Sequence, residues 1–462
     1  MLPCDSGKAS VRSKGEKGMA EGYVDAGSGP VRRFSRRRFL YGAATALGGM
    51  ALASCSGVPF GSSKTVHFWN LFGGGDGARL SAMESDFVKS HPGIELKATT
   101  LTWGAPYYTK VSMATVGGRP PDVAVMHLTR LPAYAPAGLL EPLDPDVLSE
   151  YDIGQDKFLP EIWEGGKLGG ELYAIPLDTH PQVMYYNTDI CKEAGLLDSD
   201  GNLKPLQGRE ELIDAFQKTM EVTKEQGIAF APADSVVPWR LFYSFYGQLG
   251  GEVLSPDATE VVLDQEKAEE ALSFLVELTL DKEFTPSNQD YPAAVAQFQS
   301  GNAGFHWNGE WEVTTFLDAK MPFSMVEFPN VFGNKHVQAD RHTFVIPKGV
   351  ANDHAAFDAA LQFVSSLLKS SMIWAEGGHI PAYRPVLDSA EYKNLKPQSN
   401  YAGVADEVVL DPKAWFSGSG SDMEVQASVP MQQAMAGTIQ PKAAVEQIRA
   451  AMQELVNTPK PF

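Results

Sequence analysis

Cysteine is scarce in this chain, with three in 462 residues, at positions 4, 55 and 191. Two fall in a leader or at its end, so Cys191 stands alone in the body and no disulfide can form there. Set in "YYNTDICKEAGLL", it reads as a small helix residue. Positive charge is also short: 38 Lys/Arg face 57 Asp/Glu. Residues 1–55 carry nine Lys/Arg against four Asp/Glu, leaving 29 against 53 and a net charge of −24 for residues 56–462. So acidic a body excludes nucleic acid and disfavours polyanions, leaving neutral or cationic ligands. Catalytic signatures are missing as well. There is no His-Glu-x-x-His, Gly-x-Ser-x-Gly, P-loop or Cys-x-x-Cys, and the nine histidines show no metal-ligand spacing. "GGGDG" at 73–77 lacks the spacing of a dinucleotide loop. No enzyme, cofactor or metal centre is expected.

The basic N-terminal part reads as an address. "SRRRFLYGAATALGGMALASC" (35–55) opens on three arginines, and its apolar run from Phe39 to Ala53 is several residues short of the roughly 20 needed to cross a bilayer. It resembles a twin-arginine export signal, Ser-Arg-Arg-x-Phe-Leu at 35–40 with Tyr41 where Lys is usual. Leu52-Ala53-Ser54-Cys55 resembles a bacterial lipobox. That resemblance implies cleavage before Cys55, a lipid on Cys55, and tethering to the outer face of the bacterial cytoplasmic membrane. Residues 1–30, with Met19 as an alternative start, read as leader.

At 44% hydrophobic residues the 462-residue chain has ample material for a core, and it exceeds the size at which one core stops growing. After a Gly/Ser spacer (56–63) the periodicity alternates. "TVHFW" (65–69), "IELKATT" (94–100) and "DVAVM" (122–126) are strands. "GARLSAMESDFVKS" (77–90), with Leu80, Met83 and Phe87 on one face, and "PYYTKVSMATVGG" (106–118) are helices. "GGKLGGELYAIPL" is a hairpin turning at Gly169-Gly170, and amphipathic helices follow at 209–226, 266–281 and 353–369. This order predicts an α/β fold of mainly parallel sheets flanked by helices, in two lobes.

In such sheets ligands bind beyond the carboxyl ends of the strands, which selects Asn70, the "GGGDG" loop with Asp76, Trp103 and His127. Asp76 also reads as a helix cap. "FWNLFGGGDG", "FVKSHPGIEL", "GGRPPDVAVMH", "AGLLEPLD", "GELYAIPLDTHPQVMYYNTDICKEAGL", "FQSGNAGFHWNGEW" and "GGHIPAYRPV" follow in order. Together they resemble the extracellular solute-binding proteins of family 1, the sugar-binding components of ABC importers, over essentially all of 64–462. The resemblance implies a periplasmic-binding-protein-like pair of lobes, 64–180 plus 338–370 and 181–337 plus 371–462, with the ligand cleft at the hinge. It places ligand contacts at Asn70, Asp76, Trp103, His127, Asp178, Pro238-Trp239-Arg240, "NGEW" and "GGHIPAYR", the last holding His379 and Arg384.

A sugar offers apolar ring faces and an edge of hydroxyls, so it calls for flat aromatics with acceptors and bidentate donors. Trp239, Trp307 and Trp311 are candidate platforms, and Asp178, Asn308, Glu310 and Arg384 candidate edge contacts. The bland alternatives are core for Trp307, a surface ion pair for Arg384 and structural histidines for His127 and His379. The expectation is a monomeric lipoprotein that hands a neutral saccharide, an oligosaccharide or glycoside, to an ABC permease and its ATPase. A glycerol phosphodiester ligand and a secreted glycoside hydrolase are the alternatives. Cys55→Ala should release the processed protein from membranes in fractionation, and retention in the membrane fraction would refute the lipid tether.

Overall fold

Alternating burial builds the first sheet of the computed structural model, which describes residues 64–206 and 208–462. The leader, the export signal, Cys55 and the spacer lie outside the described residues, and no helix within them is long and apolar enough to cross a membrane. Strand Lys64–Asn70 buries Val66, Phe68 and Asn70 at every second position. Helix Gly74–Ser90 lays Leu80, Met83 and Phe87 inward, and its Cα path closes at His91, whose N–H bonds Phe87 O, just before Pro92. Ile94–Thr100 and Val123–His127 flank the first strand in parallel. His342–Val345 and Ala174–Pro176 then complete the sheet.

The second sheet is centred on Asp178–Asn187, buried along its whole length. It runs antiparallel to Ala303–Gly309, Phe323–Glu327, Val337–Asp340 and the short Ile380–Pro381. Only Gln226–Ala229 and Val408–Val409 pair in parallel, with Ala303–Gly309 and Val337–Asp340 respectively. The expected parallel order therefore describes the three leading strands of the first sheet, while the second sheet is mixed. The reason is connectivity: the strand that carries the chain out lies beside the one that brings it back, so the two must run in opposite directions. The expected hairpin, Lys167–Leu168 with Glu171–Leu172, packs Leu168 and Leu172 on the first core, and its Gly169 and Gly170 adopt φ +62° and +90°.

Each sheet has its own apolar core. The chain leaves the first lobe along Asp178–Gln182 and returns where Ala339 and Asp340 pair with Pro181 and His180. Residues after 371 do not all belong to the second lobe, as the family resemblance implied. Trp374, Ala382, Tyr383 and Val386 are buried in the first core, with Trp374 edge-on to Phe72 at 4.7 Å and Tyr383 against Phe158 at 5.9 Å. Between them Ile380 joins the second core, which makes Gly378–Ala382 a third passage across the hinge.

Trp307 belongs to the second core rather than to any ligand surface. Its ring lies 5.4–5.7 Å from those of Phe216, Phe230, Phe245 and Phe328. Trp239, an expected platform, is core as well: fully buried, stacked on Tyr243 at 4.9 Å, with Nε1 donating to Asp411 Oδ1 at 3.0 Å. Its indole is packed inside the second lobe and leaves no face for a ligand. Trp307→Ala should cost about 3–5 kcal/mol in urea unfolding, with Trp307→Phe much milder. Equal stability of Trp307→Ala and wild type would contradict this placement.

Candidate functional site

The site is organised by a carboxylate that no solvent reaches. Asp178, at the start of the outgoing strand, has zero exposure. Its Oδ1 accepts from His342 N at 2.8 Å and His180 Nδ1 at 3.0 Å, and its Oδ2 from His342 Nδ1 at 2.7 Å and Trp374 Nε1 at 2.6 Å. Burial alone would raise its pKa, yet the imidazoles of His342, His180 and His379 hold it well below the usual carboxylate range. Ligand atoms of Asp178, His180, His342 and His379 fall within 4.8 Å of one another, a spacing a metal can bridge. The Nδ1 atoms of His180 and His342 are already committed to the carboxylate, so the arrangement closes as a hydrogen-bonded hub.

His379 extends this hub to both lobes. Nε2 is 3.0 Å from Asp76 Oδ1, in the first turn of helix Gly74–Ser90, and Nδ1 is 3.0 Å from Glu310 Oε1 of the second lobe and 3.2 Å from Asp178 Oδ2. The ring is stacked on Trp374 at 4.2 Å. Burial would strip its proton, but Asp76 and Asp178 overcome that and hold it cationic, well above the ordinary histidine range. Glu310 goes the other way: burial pushes it up to about 7, only partly opposed by His379.

In front of the hub a cavity of about 520 Å³ opens between the lobes. Trp103, more than a third exposed, lines it from the first lobe and Trp311 from the second. The Trp311 ring is fixed: Nε1 donates to Tyr291 OH at 2.7 Å, Tyr291 donates to Glu312 at 2.6 Å, and a Cβ on Gly309 would meet the ring at 1.9 Å. Buried Arg240 lies 5.7 Å from both indole rings, with Nη2 donating to Ser419 Oγ at 3.3 Å and Nε 3.5 Å from Glu424. The lobes touch at the rim. Ser419 N donates to Thr129 Oγ1 at 3.1 Å, and a Cβ on Gly420 would sit 2.9 Å from Gly104 Cα.

Of the residues selected from sequence, the cavity wall holds Asp76, Trp103, His127 and Trp311. Asp76 does not cap its helix, whose N-cap is Gly73 with no side-chain bond; it pairs with His379 instead. Asp178, Glu310 and His379 form the layer behind the wall. Asn70 and Asn308 are spent locally, Asn70 Oδ1 accepting from Phe72 N and Thr100 Oγ1, and Asn308 bonding Gly309 N and His306. Arg384 is exposed and paired with Asp388 one helical turn on, at 3.1 Å, because it opens a short surface helix. His180, His342 and Tyr291 went unselected, whereas Arg240, named within Pro238-Trp239-Arg240, lines the cavity. The signal available for His180 was strand alternation, since it stands two residues beyond Asp178 on the same face.

Protonation of Glu310 supplies a pH test. Its folded-state pKa is raised, so the stabilisation from its proton is complete below the ordinary 4.5 and is lost as pH rises through about 7. Glu310→Gln keeps the neutral shape. Between about pH 5 and about pH 8, wild type should lose on the order of 2 kcal/mol more stability than Glu310→Gln in parallel denaturant melts. Superimposable pH profiles would show that Glu310 stays ionised throughout.

Comparison with known proteins agrees with this architecture. The profile of bacterial extracellular solute-binding proteins matches residues 75–371. The maltotriose-binding protein of Pyrococcus abyssi is 25% identical over 333 residues, 66% of this chain and 69% of that protein. A maltooligosaccharide ABC transporter solute-binding lipoprotein of Streptococcus pneumoniae is 24% identical over 245 residues, 49% of this chain, and the match spans about half of that relative (52%). Among solved structures, the GacH receptor of Streptomyces glaucescens, described unliganded and with acarbose, superposes with a TM-score of 0.72 at 19% identity, over 86% of this chain and 100% of that one. Maltose-bound T. maritima MalE3 gives 0.72 at 18% identity, over 85% and 100%. By its matched sequence and its two-lobed fold, the chain belongs to the bacterial extracellular solute-binding proteins.

Proposed function

We propose that this chain captures a neutral saccharide between its lobes and presents it to the permease of an ABC importer. The observation that carries the reading is the pair of indoles, Trp103 and Trp311, brought from opposite lobes to one cavity with the Arg240 guanidinium 5.7 Å from each ring. Flat rings suit the C–H faces of a sugar, and the Arg240 guanidinium, ion-paired with Glu424 and lining the same cavity, suits its hydroxyl edge. The acidic body argues against phosphorylated ligands, and relatives named for maltotriose, maltooligosaccharide and arabinooligosaccharide binding support the same class. A cavity of about 520 Å³ has room for more than one ring.

Capture without turnover fits the carboxylates that line the cavity. Asp76 is engaged by His379, and Asp234 Oδ1 accepts from Val236 N and Val237 N. Ligand would favour the closed arrangement by contacting both lobes at once, and that differential affinity is all the switching the mechanism needs. A lipid on Cys55 would hold the receptor beside its permease and raise its effective concentration there.

Thermal-shift screening of the full chain against maltose, maltotriose, mannotriose, tagatose, polyols and glycerol phosphodiesters tests the proposal. At a hundredfold excess over Kd a ligand adds roughly 2.7 kcal/mol, so a saccharide response should be plain. Trp311→Ala should weaken it about tenfold or more (~1.4 kcal/mol) while the melt without ligand stays cooperative. A response confined to phosphodiesters would overturn the ligand class.

A further inference from the structure

Histidines from three separate segments meet on one wall of the cavity: His127 ending Val123–His127, His180 in the outgoing strand and His342 opening His342–Val345. His180 and His342 are stacked at 3.9 Å with 21° between their planes, and His127 lies 4.7 Å from His342 and 5.4 Å from His180. In each ring Nδ1 is held by the protein. Nε2 has no protein partner and is not sealed from solvent in any of the three.

The partner of each Nδ1 decides which nitrogen carries the proton. Ionised Asp178 can only accept, so His180 and His342 give it their Nδ1–H, and a neutral ring in that state turns a bare Nε2 lone pair outward. His127 is wired in the opposite sense. The Tyr108 hydroxyl accepts the His127 backbone N–H at 3.1 Å, and among the described residues the one acceptor within reach of its own hydrogen is His127 Nδ1, 2.6 Å away. The ring proton of His127 therefore sits on Nε2, facing the cavity. Burial keeps His127 neutral, and likewise His180, which is pushed down to about 3.

The wall thus presents two acceptors beside one donor. A metal ion needs lone pairs that converge, and here one of three nitrogens shows N–H while two rings lie nearly parallel. Adjacent hydroxyls fit the pattern without change, since two can donate to His180 and His342 while a third oxygen accepts from His127. Resting on the saccharide reading above, we infer that His127, His180 and His342 determine specificity by reading neighbouring oxygens of a single sugar ring, so that the preferred ligand carries an unsubstituted vicinal diol there. Tyr108 and Asp178 are positioning residues that fix the tautomers without touching ligand. A site built to bond hydroxyls rejects analogues lacking them steeply, because its own buried groups are then left unpaired.

The test combines long-range ¹H–¹⁵N spectra of the full chain, labelled at histidine, with calorimetric titration of maltose, maltotriose, mannotriose and tagatose and the monodeoxy analogues of whichever binds tightest. Nδ1–H is expected for His180 and His342 and Nε2–H for His127. Tyr108→Phe should abolish the His127 preference, leave the His180 and His342 signals in place and weaken the sugar about tenfold or more. Deoxygenation at one ring should cost at least as much. Reversed tautomers would overturn the inference whatever binds. Sugar binding indifferent to Tyr108→Phe and to every deoxygenation would overturn it while sparing the receptor function. Correct tautomers with no sugar bound would instead remove the saccharide reading and this inference's ligand with it. Stoichiometric Zn²⁺ binding that erases the His127 Nε2–H signal would show a metal site in its place.

Discussion

One buried negative charge holds the hinge together. Asp178 stands where the chain first leaves one lobe for the other, and its partners come from every later passage: His342 on the return, His379 on the third crossing, and Trp374 just before it. Taking a carboxylate out of water costs several kcal/mol, which four hydrogen bonds and a nearby imidazolium offset. Removing a partner would leave that charge uncompensated, so the passages are constrained together. The same bonds orient the imidazoles that face the cavity.

The second consequence concerns how the lobes communicate. His379 lies between Asp76 of the first lobe and Glu310 of the second, so a single ring bridges acidic groups of both lobes. Across the cavity Arg240 has a matching place, held by Glu424 and Ser419 on its own lobe and close to Trp103 on the other. The contacts at the hinge are between ionisable groups, and those at the mouth are aromatic.

Much of the fold was legible because its signals are local. Leu80, Met83 and Phe87 mark a helical face within eight residues, and Gly169-Gly170 marks a turn by backbone freedom alone. Strand-end reasoning found Asp76, Trp103 and His127, since these sit where a sheet delivers its loops. It failed for the part of the cavity wall that the crossings supply. Asp178 and His342 are 164 residues apart, and no local pattern links them. It also overreached: Asn70 ends a strand yet spends its amide on Phe72 N and Thr100, and Trp239 looks like a platform until its ring proves stacked on Tyr243 and bonded to Asp411 in the core. The stretch "FHWNGEWEV" divides accordingly, with Trp307 in the core, Glu310 behind the wall and Trp311 on it.

The central claim is that the space between Trp103 and Trp311 holds a sugar ring while the lobes are closed. A crystal structure of the protein grown with maltotriose tests it most directly. The account predicts a pyranose in contact with both indoles, hydroxyls within hydrogen-bond distance of the Nε2 atoms of His127, His180 and His342, and the Asp178 hub unchanged. Sugar bound instead in the second-lobe cavity beside Gln248 and His336, with the space between the indoles left to solvent, would contradict it.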